Sequence, residues 1–260
     1  MILIDSHCHL EPKDFPDASA AIERARANGV VHAVVVGQFH RPGDFGHALE
    51  VARAHPEFLT PTMGIHPHDA AAATEADWAS LEAICSQPEV HAVGEAGLDF
   101  YYNHSPREIQ AVAFRRQCQL AKKLGKPLVV HVRDAHSECI EILTSEGIRD
   151  GMIHCFTGDT ENARAYLDLG FHLSISGVVT YKKTEALQAA VQFAPLERLM
   201  VETDSPFLAP LPYRGKPNQP AYVAETAKKI AALKERDPDE VALVCAQNSK
   251  RLLTLKVELR

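Results

Sequence analysis

Short apolar runs alternate with longer amphipathic segments along almost the whole chain. The runs are rich in Val, Ile and Leu, which is typical of parallel strands that are buried on both faces. We predict strands over Ile2–Ile4, Val30–Val36, Leu59–Met63, Val90–Val93, Leu128–Val132, Met152–Ile153, Phe171–Ile175 and Leu199–Val201. We predict helices over 18–29, 44–55, 75–87, 106–125, 135–147, 160–170, 183–193 and 220–235.

Eight strand–helix alternations favour an α/β fold in which parallel strands close into a (β/α)8 TIM barrel. We expect one domain over residues 1–260. An open doubly wound sheet fits the same alternation, because periodicity alone does not prove closure. A last helical segment over Pro238–Leu253 is expected to pack on the outside. The Pro- and Gly-rich stretch Pro206–Pro220 is either a plain connection or, as we favour, a substrate-facing loop.

Ionisable side chains follow the predicted strands at the end where a barrel builds its active site. His7 and His9 are two residues apart, so they face one side of the strand and Cys8 faces the other. Burying an ionisable group beside an apolar core costs free energy unless the group is paired or binds metal. Polar side chains at strand ends can alternatively form hydrogen bonds with the backbone of the loops. We predict a cage for two metals that share a carboxylate. Its members are His7, His9, Glu95, His131, His154 and Asp204.

Charge and composition narrow the class of protein. The formal net charge of -7 argues against a protein that binds nucleic acid through a broadly basic surface. It does not exclude a nucleic-acid enzyme, because bound divalent cations add positive charge locally. The six cysteines lack C-x-x-C spacing and are expected to be free thiols. We predict no signal peptide and no membrane span, a cytoplasmic location, and no obligate protein partner.

Six motifs resemble the TatD family of metal-dependent deoxyribonucleases, which are TIM barrels of the amidohydrolase-like type. The motifs are DSHCHL (5–10), GIHPH (64–68), GEAGLDFYY (94–102), HVRDA (131–135), HCFTG (154–158) and ETDSPFLAP (202–210). NSKRLL (248–253) resembles the family's C-terminal ending, so the resemblance covers nearly the whole chain. It implies that the six cage residues ligate metal and that Glu95 bridges both ions.

The resemblance also implies a function. The expected enzyme hydrolyses DNA phosphodiesters from a strand end, with single-stranded DNA or 3′ ends as substrate, through a water activated by two metals. Asp204 is expected to accept the proton of that water, and Glu95 to hold both metals. Imidazole ligands favour Zn, Mn, Fe or Co, whereas the family's nuclease activity implies Mg. We therefore predict two divalent cations and do not choose among these metals.

Two other functions stay open at this point. The same cage serves carbonyl addition, so the protein is alternatively a hydrolase of small ester or amide substrates, or a D-aminoacyl-tRNA deacylase. A metal-binding or interaction protein without catalytic activity is the third and least favoured hypothesis.

Four further residues are predicted to bind substrate, three of them through a positive charge. His66 follows the third strand, and Arg133 lies two residues after a cage histidine. Arg214 and Lys216 lie in the stretch Pro206–Pro220. A planar guanidinium suits bidentate contact with phosphate, so we expect these side chains to meet the substrate's phosphates.

Neighbours of the cage have weaker interpretations. Asp5 and Glu202 are candidate acceptors for the second ring nitrogen of a ligand histidine. Tyr101 and Tyr102 either stack on a base or pack in the core.

Strand alternation places two cysteines away from the cage. Cys8 and Cys155 each neighbour a cage histidine, so both are expected to point into the core. His68 is interpreted as a residue that fixes its own loop.

Overall fold

In the computed structural model, which describes residues 1–259, eight strands form one parallel sheet in the order of the chain. Every neighbouring pair from the first strand to the eighth is parallel. The strands are β1 (Leu3–Cys8), β2 (Val30–Gln38), β3 (Leu59–Gly64), β4 (Ala92–Asp99), β5 (Leu128–Arg133), β6 (Gly151–Ile153), β7 (His172–Ile175) and β8 (Leu199–Val201).

Hydrogen bonds between β1 and the residues after β8 bring the two ends of the sheet together. The backbone nitrogen of Asp204 donates to the His7 carbonyl (2.9 Å), and that of His9 donates to the Ser205 carbonyl (2.8 Å). Ser6 adds a bond from its hydroxyl to the Val201 carbonyl (3.0 Å). The predicted TIM barrel is confirmed, and the open sheet is excluded.

Helices separate the strands, as parallel pairing requires. Short 3₁₀ turns lie at Pro67–Ala72, Gly177–Thr180, Leu196–Arg198 and Pro220–Tyr222. The helices are α1 (Ala18–Ala27), α2 (Ala48–Ala54), α3 (Glu75–Cys85), α4 (Arg107–Leu124), α5 (His136–Glu146), α6 (Thr160–Asp168), α7 (Glu185–Phe193), α8 (Val223–Lys234) and α9 (Pro238–Leu252).

Local signals explain where several helices begin and end. Thr74 and Asp77 form a capping box at the start of α3, which satisfies backbone N–H groups of its first turn. Pro106 precedes α4, and Gly125 ends it with φ of 62°, a left-handed conformation that glycine adopts without a steric cost. The predicted helix over 44–55 begins later, at Ala48, and Asp44 instead pairs with Arg41 in an isolated bridge.

Several strands are longer than predicted, and the two that extend furthest, β1 and β4, each carry an irregular register at a cage residue. β4 continues to Asp99, so Glu95 lies within the strand and not after it. Against β5, its register shifts between Val93 and Ala96. The register of β1 against β2 shifts in the same way between Asp5 and Cys8. Such bulges re-aim side chains and occur beside active sites.

The C-terminal segment closes the floor of the barrel, at the N-terminal ends of the strands. Ile4, Met152 and Met200 belong to a buried cluster that also contains Leu252 and Leu255. The His91 ring nitrogen Nδ1 lies 2.7 Å from the Leu253 carbonyl oxygen, which fixes this segment further. The end of the last helix and the residues after it therefore cover this floor through Leu252 and Leu255. No helix in residues 1–259 combines the length and the apolar character of a membrane span.

Candidate metal centre

The carboxylate of Glu95 lies between two pairs of imidazoles at the C-terminal mouth of the barrel. Its Oε2 atom is 3.5 Å from His7 Nε2 and 3.9 Å from His9 Nε2. Its Oε1 atom is 2.8 Å from His131 Nδ1 and 3.4 Å from His154 Nε2. Each oxygen thus faces a different pair, which is the arrangement that a carboxylate shared by two metals needs.

Asp204 completes the cage on the side of the first pair. Its Oδ1 atom lies 3.5 Å from His9 Nε2, 3.7 Å from His7 Nε2 and 3.9 Å from His154 Nε2. The residue has φ of 57°, a left-handed conformation that is uncommon outside glycine and that clusters at functional sites. The structure brings together all six residues that the sequence singled out.

The donor set fits a metal better than it fits a metal-free core. Both ring nitrogens of His7 are buried, and neither has a hydrogen-bond partner within residues 1–259. A buried polar atom without a partner costs free energy, whereas an imidazole nitrogen is a common ligand for divalent metals. One atom each from His7, His9 and Glu95 lies within 4.8 Å of the others, and His66, Glu95 and His131 form a second such group.

Charges inside the cage keep its carboxylates ionised. Burial opposes ionisation of Glu95, but its interactions with His154 and His66 outweigh burial and hold its pKa well below the ordinary value. Burial also opposes ionisation of Asp204, and His154 and a hydrogen bond from His9 again prevail and lower its pKa. The pKa of His154 is raised to about 10, because Glu202, Glu95 and Asp204 outweigh the effect of burial. The carboxylates are therefore anionic at neutral pH, as cation binding requires.

Acidic residues behind the cage orient its histidines. Glu202 Oε1 lies 2.8 Å from His154 Nδ1, the position that the sequence suggested for it. Asp99, which the sequence reasoning missed, places Oδ2 3.1 Å from His131 Nε2 and 2.9 Å from His68 Nε2. A carboxylate on one ring nitrogen fixes the orientation of the other nitrogen toward a metal. The missed signal was spacing, because positions 95, 97 and 99 share one face of a regular strand.

Gly97 allows this packing of β4 against β5. Its φ is 151°, and a Cβ atom there would collide with the carbonyl oxygen of His131. A glycine therefore permits the close approach that brings Asp99 and Glu95 to the ring of His131.

The proposed role of Asp5 as an acceptor for a ligand imidazole was wrong. Its carboxylate accepts from Thr203, through the backbone nitrogen (2.8 Å) and the hydroxyl (2.5 Å), and from the backbone nitrogen of His7 (3.4 Å). Within residues 1–259 it bonds to no ligand imidazole. Burial raises the pKa of Asp5 to about 8. These hydrogen bonds connect β1 to the chain after β8, and they align His7 with Asp204.

Two more side chains reach the cage that the sequence reasoning did not place there. Gln38, the last residue of β2, donates from Nε2 to Glu95 Oε2 (2.6 Å). The thiol of Cys155 groups with ligand atoms of His154 and Asp204, all within 4.8 Å of one another. The prediction that Cys155 points into the core was wrong, because β6 ends at Ile153 and Cys155 has φ of 43°, so strand alternation does not extend to it.

The corresponding prediction for Cys8 is confirmed. Its thiol donates to the Val34 carbonyl (3.4 Å), and the residue belongs to the buried apolar core.

His66 lies deeper than a residue that only meets substrate at the surface. Its Nε2 atom is 3.5 Å from Glu95 Oε1, and its ring is 4.5 Å from that of His131. Burial lowers its pKa to about 4, although Glu95 opposes the shift. A neutral imidazole at this position can contact either a second metal or a substrate oxygen.

The predicted cationic residues lie on loops or strand ends at the mouth. The guanidinium carbon of Arg133 is 4.0 Å from the ring centre of Tyr101 and 4.8 Å from that of Tyr102. That of Arg214 is 4.3 Å from the ring of Tyr181. Lys216 is exposed.

Tyr101 and Tyr102 do not pack in the core, because 57% and 50% of their surfaces are exposed. Of the two interpretations that the sequence left open for them, core packing is therefore excluded.

The loop after β8 brings an aromatic ring to the other side of the mouth. The Phe207 ring centre is 6.2 Å from that of His9, and 55% of the residue is exposed. Asn218 secures this loop by donating from its side chain to the carbonyls of Thr203 (2.8 Å) and Phe207 (2.6 Å).

Comparisons with known proteins match the chain almost end to end. The family model described as TatD related DNase matches residues 4–254. An uncharacterized metal-dependent hydrolase of Bacillus subtilis, YabD, is 40% identical, with 98% of this chain and 100% of the relative covered. The "3'-5' ssDNA/RNA exonuclease TatD" of Edwardsiella piscicida is 34% identical, with 92% and 94% covered.

A solved structure agrees with the fold. The crystal structure of YJJV, a TatD homolog from Escherichia coli, superposes with a TM-score of 0.89 at 27% identity, with 97% of this chain and 98% of that chain covered. The fold, the cage and the family model agree, and the chain belongs to the TatD-related DNase family of metal-dependent hydrolases.

Proposed function

We propose that the protein is a metal-dependent nuclease that hydrolyses phosphodiesters at the ends of single-stranded nucleic acid, DNA above all. The observation that carries the proposal is the carboxylate of Glu95, whose two oxygens face separate pairs of imidazoles. Two-metal sites of this kind act on phosphodiesters by clamping the attacking and the leaving oxygen. The name of the Edwardsiella relative, a single-strand exonuclease, supports the same substrate class.

Each cage residue has a role in this proposal. His7, His9 and Asp204 would hold one cation, His131 and His154 would hold the other, and the carboxylate of Glu95 would be shared between them. Divalent cations at such a site supply Lewis acidity toward a phosphoryl oxygen and lower the pKa of water.

Asp204 is the residue that we propose to accept the proton of the attacking water. Its side chain is 13% exposed against 3% for Glu95, so water can reach it. Its lowered pKa means that the carboxylate is ionised and can receive a proton at neutral pH.

Four residues around the cage are proposed to bind the substrate. His66 is next to the Glu95 oxygen that faces the second pair, and would contact the scissile phosphate. Arg133, Arg214 and Lys216 are exposed cations at the mouth, and would bind the flanking phosphates. The formal net charge of -7 repels a polyanion, so this chain needs cations close to the site in order to bind one.

The test is turnover of an end-labelled single-stranded oligonucleotide with Mg, Mn, Zn or Co, beside a panel of esters, amides and D-aminoacyl-tRNA. We expect progressive shortening of the oligonucleotide that stops when the metal is chelated. Asp204→Asn should abolish it, while Asp168→Asn, an exposed carboxylate on α6, should not. Absence of cleavage with all four metals would defeat the nuclease proposal, and turnover confined to the panel would replace it with the ester or amide alternative.

A further inference from the structure

Two tyrosines and an arginine form an exposed cluster beside the metal centre. Tyr101 and Tyr102 follow β4, and Arg133 ends β5, where it pairs with Asp99. The guanidinium lies over both rings, which stand perpendicular to each other with centres 4.9 Å apart. We call these three side chains the tyrosine–arginine cluster.

The donors of Arg133 are free although its guanidinium is held in place. Within residues 1–259, its side chain forms no hydrogen bond and no ion pair, and its contacts are with the two tyrosine rings. Cation–π contacts orient a guanidinium without occupying the N–H groups in its plane. Arg133 can therefore bind a phosphate without first breaking an ion pair.

The two tyrosine rings are half exposed and are held on a rigid support. The backbone nitrogens of Tyr101 and Tyr102 both donate to Asp99 Oδ1, at 3.1 and 2.9 Å. Tyr102 also stacks on His104, with ring centres 5.5 Å apart and planes 6° from parallel. Half-exposed rings that are held this firmly are suited to stacking on a planar ligand.

Asp99 connects the cluster to the metal centre. Its Oδ1 atom holds the backbone of the tyrosines, while its Oδ2 atom lies 3.1 Å from His131 Nε2. His68 fills the space between, with its ring 5.4 Å from Tyr102 and 6.2 Å from His131. One buried carboxylate therefore sets the position of the cluster relative to the metal that His131 would hold.

We propose that the tyrosine–arginine cluster clamps the nucleotide next to the scissile phosphate. Arg133 binds the phosphate of that nucleotide, and its base packs against the exposed part of the Tyr102 ring, half of which is open to solvent. A paired duplex keeps its base faces covered, so a clamp that requires an open face selects single strands. This inference rests on the proposed nuclease function and assigns the selection of single strands to these residues.

Binding is tested with the metal-loaded protein and a fluorescein-labelled oligothymidylate whose phosphorothioate linkages resist hydrolysis. Tyr102→Ala should weaken binding about tenfold, the effect of losing one stacked base, and leave its salt dependence unchanged. Arg133→Ala should reduce the slope of log affinity against log salt by about one phosphate contact. If the two residues mattered only for folding, both variants would lose affinity in the same way. The loss of affinity in Tyr102→Ala and the reduced salt slope in Arg133→Ala would then not be separable.

The chain offers a matched control on its outer helices. Arg164 of α6 lies 4.5 Å from the ring of Phe193 on α7, which is 39% exposed, so this pair has the same chemistry away from the mouth. Arg164→Ala and Phe193→Ala should bind as the unaltered protein does.

A single abasic position, moved along the oligonucleotide, locates the clamp. It should weaken binding at one position only, and Tyr102→Ala should remove that sensitivity. Equal affinities for the Tyr102, Arg133 and control variants, or no sensitive position, would overturn the clamp. Cleavage of an ordinary oligonucleotide is measured in parallel. Clamp-dependent binding without cleavage would defeat the nuclease proposal alone, and normal cleavage with no effect of the variants would defeat the clamp alone.

Discussion

Glu95→Gln is the substitution that best tests whether two metals share one carboxylate. Glutamine keeps the length and shape of the side chain, so the hydrogen bond from Gln38 to the retained oxygen can persist. It removes the negative charge and leaves one ligand oxygen where there were two. Because the two oxygens of Glu95 face different imidazole pairs, this single change should weaken both metal positions.

The distances in the cage give the size of the effect. Unit charges about 4 Å apart interact by about 4 kcal/mol at the effective dielectric constant of about 20 that suits protein sites. The glutamate oxygens lie between 2.8 and 3.9 Å from the imidazole nitrogens, so a divalent cation among them would lie at least this close. Each oxygen carries about half of the negative charge and each cation carries two positive charges, so the loss should reach about 4 kcal/mol per metal, which corresponds to about a thousandfold rise in each Kd.

Calorimetric titration with Zn or Mn and thermal unfolding with and without metal measure this loss. The unaltered protein should gain about 4 kcal/mol of stability for each bound metal at a concentration a thousand times the Kd of that metal, and Glu95→Gln should gain almost none. Glu75→Gln is the control, because that carboxylate is exposed on α3 and its one ion pair within residues 1–259 is with Arg116. Loss of one metal alone would refute the sharing of Glu95, and two sites of unchanged affinity would refute the cage.

Three further substitutions test other parts of the structure. Asp99→Asn should weaken metal binding about tenfold to a hundredfold without abolishing it, because the ring of His131 loses its charged acceptor; the same titration measures it. The pKa of His172 is lowered to about 4 by burial and nearby guanidinium groups, so its contribution to stability is present above pH 6.5 and lost as the pH falls toward 4. Urea unfolding should show a loss of about 3 kcal/mol over that range, which His172→Leu should remove; equal slopes in both proteins would contradict this. Lys126→Met should cost about 2 kcal/mol in the same assay, because Nζ donates to three backbone carbonyls at and after the end of α3.

Much of the fold could be predicted because its signals are local. Parallel strands that are buried on both faces appear in the sequence as apolar runs. Helices begin and end at recognisable residues such as Thr74 and Gly125. The candidate ligands were also visible locally, since a charged group beside an apolar strand is costly without a partner. Which groups would meet across the barrel, however, could be expected only from its topology.

Predictions of side-chain direction from strand alternation were unreliable where the backbone departs from a regular strand. The register shifts in β1 and β4 and the left-handed conformation of Cys155 re-aim side chains, and a rule of period two cannot detect them. The prediction for Cys155 was wrong for this reason. That for Asp5 was wrong because its partner, Thr203, is remote in the chain and is brought to it only by barrel closure.

The amino-acid sequence by itself determined the alternation of strands and helices, the strand ends that carry ionisable groups, and the motifs of the family. Only the tertiary structure decided that Glu95 faces two separate imidazole pairs, and that Asp99 supports both His131 and the exposed tyrosines. The physical reason is that periodicity and residue chemistry are properties of neighbours in the chain. The partner of a buried polar group is chosen by long-range packing, where each group must find a hydrogen bond, an opposite charge or a metal.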